Sequence, residues 1–222
     1  MRVAAAQKRL PARLTLVALA LVLSLSLLVL VVAPQAQAKK SYDKFRASGG
    51  TTTLTTDPAT TSLLFGAGII PLPVAPTTIT PTSDAAQYTF PVTYGKLNLS
   101  TPSGYIKHSG GLLLAQRDGM AWKALSLTKF TISVTNGNLT AIVNGGDRLA
   151  IADLDLSSAT IMKYKRHGRT YVSIKNVGVN LNETAVGAIN ATYMTALTAP
   201  VALGTADVLL KGKAHWRWNW WR

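Results

Sequence analysis

The sequence predicts a mainly β domain, an antiparallel sandwich or barrel-like sheet with two short helices, preceded by a signal peptide. Three observations predict this. From Gly49 onward the chain is rich in Thr, Val, Ile, Leu, Gly and Asn, residues that favour strands and turns. Between Gln87 and Lys175, short alternating apolar segments are divided by Gly- and Asn-rich turns, the spacing of a sandwich or barrel. Upstream, residues 1–13 hold Arg2, Lys8, Arg9 and Arg13 and no acid, an apolar run extends from Leu14 to Ala33, and Pro34-Gln35-Ala36-Gln37-Ala38 supplies an A-x-A site. A basic start, an apolar stretch and small residues at a cleavage point make a secretory signal.

The apolar run is 20 residues, long enough to serve uncleaved as an anchor. Cleavage after Ala38 is the expected outcome. Either way the remaining chain is secreted or faces outward at the cell surface. The expected organisation is a signal over 1–38, a basic linker over 39–48, a β-domain over 49–212 and a Trp/Arg-rich tail over 213–222.

The elements follow in order. Thr51–Thr55 alternates weakly and reads as a strand. Asp57-Pro58 opens a short helix over 58–66, with Asp as the cap and Pro at the first helical position, ended by Gly66 and Gly68. Pro71, Pro73, Pro76 and Pro81 confine 69–81 to an edge strand or a crossing segment. Tyr88, Phe90 and Val92 alternate, and Gly95 is expected to turn the chain into Lys96–Ser100. A short strand, Gly104–His108, leads to Ser109-Gly110-Gly111, a hairpin signal. Leu112–Ala115 precedes a turn at Arg117-Asp118-Gly119, and a long strand runs from Trp122 to Val134. Asn136-Gly137-Asn138 and Asn144-Gly145-Gly146-Asp147 are turns flanking Leu139–Val143 and Leu149–Leu156. Ile161–Tyr164 and Tyr171–Ile174 flank a basic turn. After Val177–Leu181, Asn182 caps a helix over 183–197, with Ala185, Ile189, Tyr193 and Leu197 on one face, stopped by Pro200. Ala202–Leu210 is the last strand. Thr53–Thr60 and Val179–Ala185 echo one another as strand, cap and helix, which suggests two such units bracketing a meander.

The chain has 222 residues, 23 Lys+Arg, 9 Asp+Glu and a net charge of +14. Removing residues 1–38 takes four cations and no acid, leaving +10. The absence of Cys excludes disulfides, thiolate zinc sites, iron–sulfur ligation and a Cys nucleophile. No G-x-S-x-G, HExxH, P-loop or dinucleotide fingerprint occurs. Asp153 and Asp155 share one strand face but sit in a regular L-D-L alternation that points to solvent. No enzyme is expected, and export argues against nucleic acid as a partner.

Three segments resemble a known family. Phe90–Leu97, Gly104–Leu112 (G-x-I-x-H-S-G-G-L) and Leu125–Ile132 are similar to the HtaA domain, and the likeness spans roughly residues 49–212. The resemblance implies an exported β-rich module of the cell envelope that binds haem through a Tyr phenolate supported by a nearby His. It places His108 as that His. The family's F-R-x-Y segment corresponds to Phe45-Arg46-Ala47-Ser48, where the second aromatic is absent and Tyr42 instead precedes the pair.

The candidate haem-binding residues are therefore His108, Tyr42 and Tyr105. Tyr94 and Tyr193 are further phenols, and Met162 and Met194 further iron ligands. On its strand Tyr105 shares a face with Lys107, opposite Ile106 and His108. A second candidate surface is the basic turn with Lys163, Lys165, Arg166 and Arg169, suited to phosphates, anionic lipid or haem propionates. The tail adds Trp216, Arg217, Trp218, Trp220 and Trp221, residue types of a membrane interface. The expected partners are haem or cell-envelope components, with an anionic membrane surface as a further candidate; the alternative readings are a structural or adhesive cell-surface β-domain without haem, and a cationic membrane-associated protein acting through its Trp/Arg tail.

Overall fold

A computed structural model describes residues 44–215, with the side chains of 213–215 excepted. The signal segment, Tyr42 and Trp216–Arg222 lie outside the described residues.

The described residues form twelve strands and two helices. The strands are β1 (Lys44–Thr56), β2 (Ile69–Val74), β3 (Thr78–Pro81), β4 (Ala86–Asn98), β5 (Ser103–His108) and β6 (Gly111–Asp118). They continue as β7 (Ala121–Ser133), β8 (Asn138–Val143), β9 (Arg148–Asp155), β10 (Thr160–Arg166), β11 (Arg169–Leu181) and β12 (Val201–His215). The helices are α1 (Pro58–Gly66) and α2 (Glu183–Tyr193). Eight strands close a ring in the order β7-β5-β4-β1-β12-β11-β9-β8, sealed by the ladder between β8 and β7. Every pairing is antiparallel. The architecture is a barrel, with β2, β3, β6 and β10 paired outside the ring.

Both helices leave the same end. Thr56, ending β1, pairs with Gly204, and Leu181, ending β11, pairs with Val201, so both strands finish beside the start of β12. Asp57 and Asn182 cap the helices as expected: their side-chain oxygens accept from Thr60 N at 3.0 Å and Ala185 N at 3.1 Å. These bonds satisfy amides that a helix leaves unpaired. The two strand–cap–helix units thus share one end of the barrel.

Several expectations require correction. Residues 44–48 are the start of β1, not linker, because Phe45 and Ala47 pair with Leu97 and Gly95 and are buried. At the other end β12 runs on to His215, three residues into the expected tail. Gly95 makes no turn, and β4 continues through it to Asn98. Its missing side chain instead admits Ala47, whose Cβ lies 3.1 Å from the position a Cβ on Gly95 would take. Helix α2 stops at Tyr193, not 197. Met194 turns left-handed, and the Asn190 side chain accepts from Leu197 N at 3.0 Å and from the Thr195 hydroxyl at 2.7 Å, holding 195–197 as a loop.

The largest correction concerns Ser109-Gly110-Gly111. It forms no hairpin. Strands β5 and β6 both pair antiparallel with β7, Ile106 opposite Ile132 and Leu112 opposite Leu127. They are therefore two pieces of one line along a single neighbour, broken at His108–Gly110. Strands β9 and β10 repeat the arrangement along β11. Opposite the first break, β7 shifts register between Thr128 and Thr131, and Lys129 has φ of 51°. That shift explains why the alternation of Leu125 and Leu127 changes phase to Phe130 and Ile132.

Candidate functional site

His108 stands at the break between β5 and β6. Its neighbours are pinned by three bonds: Ser109 N to Pro91 O at 3.0 Å, Lys129 N to Gly110 O at 3.0 Å and Gly111 N to Thr77 Oγ1 at 3.0 Å. Gly110 has φ of 80°, and a Cβ there would run into Thr77. Only glycine makes this bend without strain.

The bend turns His108 inward, where it is 5% exposed. Its Nδ1 lies 3.2 Å from the Phe130 carbonyl oxygen, and its Nε2 lies 2.7 Å from Thr52 Oγ1. A carbonyl only accepts, so Nδ1 carries the proton and donates, and Nε2 accepts from the Thr52 hydroxyl. Burial pushes the His108 pKa down to about 4, against the opposing effect of the Phe130 bond. The ring is neutral at physiological pH, and both its nitrogens are partnered.

Thr52 and His108 face the interior of the barrel, which encloses a cavity of about 850 Å³. That volume falls in the range of small-molecule sites. Leu, Ile, Val and Phe from nearly every strand line it. The lining reaches the surface at the helix end through Phe65, Ile70 and Ile79, all exposed. At the opposite end it includes Pro102, Leu156 and the exposed Ile161. Among the described residues it contains no Lys, Arg or Glu, and Asp84, in the exposed loop before β4, is its one carboxylate. Residues such as Phe45, Leu97, Val172 and Leu210 are buried outside the lining.

The predicted site residues separate. Tyr105 is half-buried on the outer face, its ring 6.0 Å from that of Tyr94 and 5.5 Å from Lys107 Nζ. It does not face His108. The hydroxyls of Tyr88 and Tyr193 donate to the carbonyls of Pro71 and Leu114. Met162 and Met194 are exposed and do not line the cavity. Tyr42 lies outside the described residues; β1 begins two residues later, eight residues or about 26 Å along the strand from Thr52. Sequence reasoning missed Thr52. Its one signal was that Thr52 and Leu54 fall on the same strand face.

The basic turn is a projecting hairpin. Every residue of β10 is exposed. His167 and Gly168 both have positive φ, 48° and 70°, making a two-residue turn. The turn sets Arg166 directly opposite Arg169, a like-charge pair that costs stability unless an anion sits between. Lys163 and Lys165 stand behind them, and Tyr164 stacks on Tyr171 with centroids 5.3 Å apart. Trp216, Arg217, Trp218, Trp220 and Trp221 lie outside the described residues.

No family model and no curated protein matches the chain. Two solved structures from Corynebacterium glutamicum are similar. The C-terminal domain of HtaA superposes with a TM-score of 0.51 at 12% identity, covering 75% of this chain and 98% of that one. The heme binding protein HtaB gives a TM-score of 0.42 at 16% identity, covering 76% of this chain and 96% of its own. The barrel of this chain thus has an HtaA-like fold, shared with the HtaA C-terminal domain.

Proposed function

We propose that this protein is an exported cell-envelope domain that holds an apolar ligand inside its barrel and performs no chemistry on it. The observation that carries this reading is the apolar cavity of about 850 Å³. A folded domain this size ordinarily packs its interior to the density of an organic crystal. An unfilled volume of this size in the centre of the barrel is a cost that a bound ligand offsets. The signal pattern of residues 1–38 supports the envelope location.

Haem is the ligand that the family resemblance implies, and its fit can be tested on the residues. The described residues do not supply a tyrosinate: no Tyr hydroxyl partners His108, whose Nε2 is taken by Thr52. Among the described residues no Lys or Arg lines the cavity to meet propionates. These residues do not fit a haem-iron site of the Tyr–His kind, and the likeness to HtaA stands as one of fold.

Titration of the purified protein with 1-aminoanthracene, a neutral dye that brightens in apolar surroundings, tests the reading. Saturable enhancement at one dye per chain is expected. A folded protein that gives none refutes it. Haemin added in parallel should leave the spectrum of unligated haemin; a shifted Soret band lost in His108→Ala would restore the haem assignment.

The projecting hairpin favours a second, compatible role, contact with anionic envelope surfaces. The opposed Arg166 and Arg169 are the observation behind it.

A further inference from the structure

The cavity lining is uncharged apart from Asp84 in the exposed loop before β4. The chain carries 23 lysines and arginines, yet among the described residues none of them lines the cavity. We propose that the ligand is an uncharged long-chain lipid, an isoprenoid or a fatty acyl ester, lying along the barrel axis; this rests on the ligand-holding reading above.

Three features support it. A carboxylate moved into this lining would lose its hydration and find no cation to replace it. A fatty acid brings one such group and haem two, whereas an ester or a polyprenyl chain brings none. The cavity is also long. Its lining follows β11 from Ile174 to Leu181, about 20 Å at the rise of a strand, and reaches surface residues at both barrel ends. That shape suits an extended chain. Lastly, the polar groups of the inner wall are neutral. Thr52 and His108 satisfy each other and leave a hydroxyl oxygen able to accept from a ligand hydroxyl, with no positive charge to select an anion.

The rim provides a route of entry. Phe65, Ile70, Leu72 and Ile79 are exposed apolar residues at the helix end and belong to the lining. A chain sliding from a bilayer along these four side chains would keep apolar contact, so the same residues that look like a liability in water shorten the passage through it.

The test compares cis-parinaric acid with its methyl ester, two fluorescent polyenes of one chain differing in a single charge, and adds haemin as a third probe. The ester is expected to saturate at one per chain and to bind about tenfold or more tighter than the acid at neutral pH. Ile79→Lys, a substitution at an exposed position, should narrow or invert that ratio by placing a cation at the mouth, with the circular dichroism spectrum unchanged. Equal binding of acid and ester by the wild-type protein overturns the charge argument. Haemin that saturates and displaces the ester overturns the lipid assignment while leaving the ligand-holding reading intact. Failure of all three probes and of the neutral dye, with the protein folded, overturns both.

Discussion

Replacing His108 with Gln should flatten the dependence of stability on pH between neutrality and mild acid. In the native protein burial lowers the His108 pKa from the ordinary histidine value of 6.5 to about 4. The unfolded chain therefore binds a proton through this window while the native state does not, and the native state loses stability as pH falls. The sign follows directly. Above the unfolded value neither state is charged and the full stability is present. Below about 4 the native ring also protonates and the loss levels off. With one pKa unit worth about 1.36 kcal/mol, the drop from about pH 7.5 to about pH 4.5 is about 2.5 kcal/mol from this single side chain. Gln keeps a donor for the Phe130 carbonyl and an acceptor for Thr52 but never charges. The assay is urea unfolding of both proteins at the two pH values. Other groups titrate in both and cancel, so the quantity read is the difference between the two pH-induced drops. Parallel pH dependences would refute the assignment of a buried, neutral His108.

Other outcomes follow from the same geometry. Thr52→Val strips Nε2 of its donor inside an apolar cavity and should cost about 1–3 kcal/mol in urea unfolding, with Thr52→Ser recovering most of it. Gly110→Ala forces a β-carbon against Thr77 at φ of 80° and should cost about 1–3 kcal/mol, lowering Tm by about 2–4 °C for each kcal/mol in a chain of this size. Arg166→Glu should leave Tm unchanged or raise it slightly, because it turns a like-charge pair with Arg169 into an opposite one, while weakening binding to anionic vesicles in a co-sedimentation assay.

Local chemistry was legible in the sequence wherever neighbours in the chain decide the outcome. Asp57-Pro58 and Asn182 begin helices because the cap and the amide it bonds lie three residues apart. The turns at 136–138, 144–147 and 165–169 declare themselves through Gly and Asn. Long-range partners decide the rest. Ser109-Gly110-Gly111 looks like a reversal, yet Thr77 and Lys129 hold it as a bend in an unreversed line. Leu197 falls on the helical face, but the Asn190 amide ends the helix first. At the site, a family resemblance pointed to His108, while Thr52 was hidden in a run of three threonines whose pairing across β4 no local pattern reveals. The cavity was illegible altogether. Leu and Ile line a hollow barrel and fill a solid one with the same alternation, and the difference lies in how far apart the opposing walls stand.

Among the described residues, three strands outside the closed ring, β2, β3 and β10, pair along one edge and leave the other unpaired. Such an edge is a template for pairing with another chain. Each of the three is guarded differently. Strand β2 carries Pro71 and Pro73, which withhold amide protons; β3 is four residues long and ends in Pro81; β10 presents Lys163, Lys165 and Arg166. Proline, brevity and charge are the usual deterrents to edge-to-edge growth. Together they make the barrel poor seed material for fibrils, and they leave its rim and its basic hairpin as surfaces free to meet other molecules.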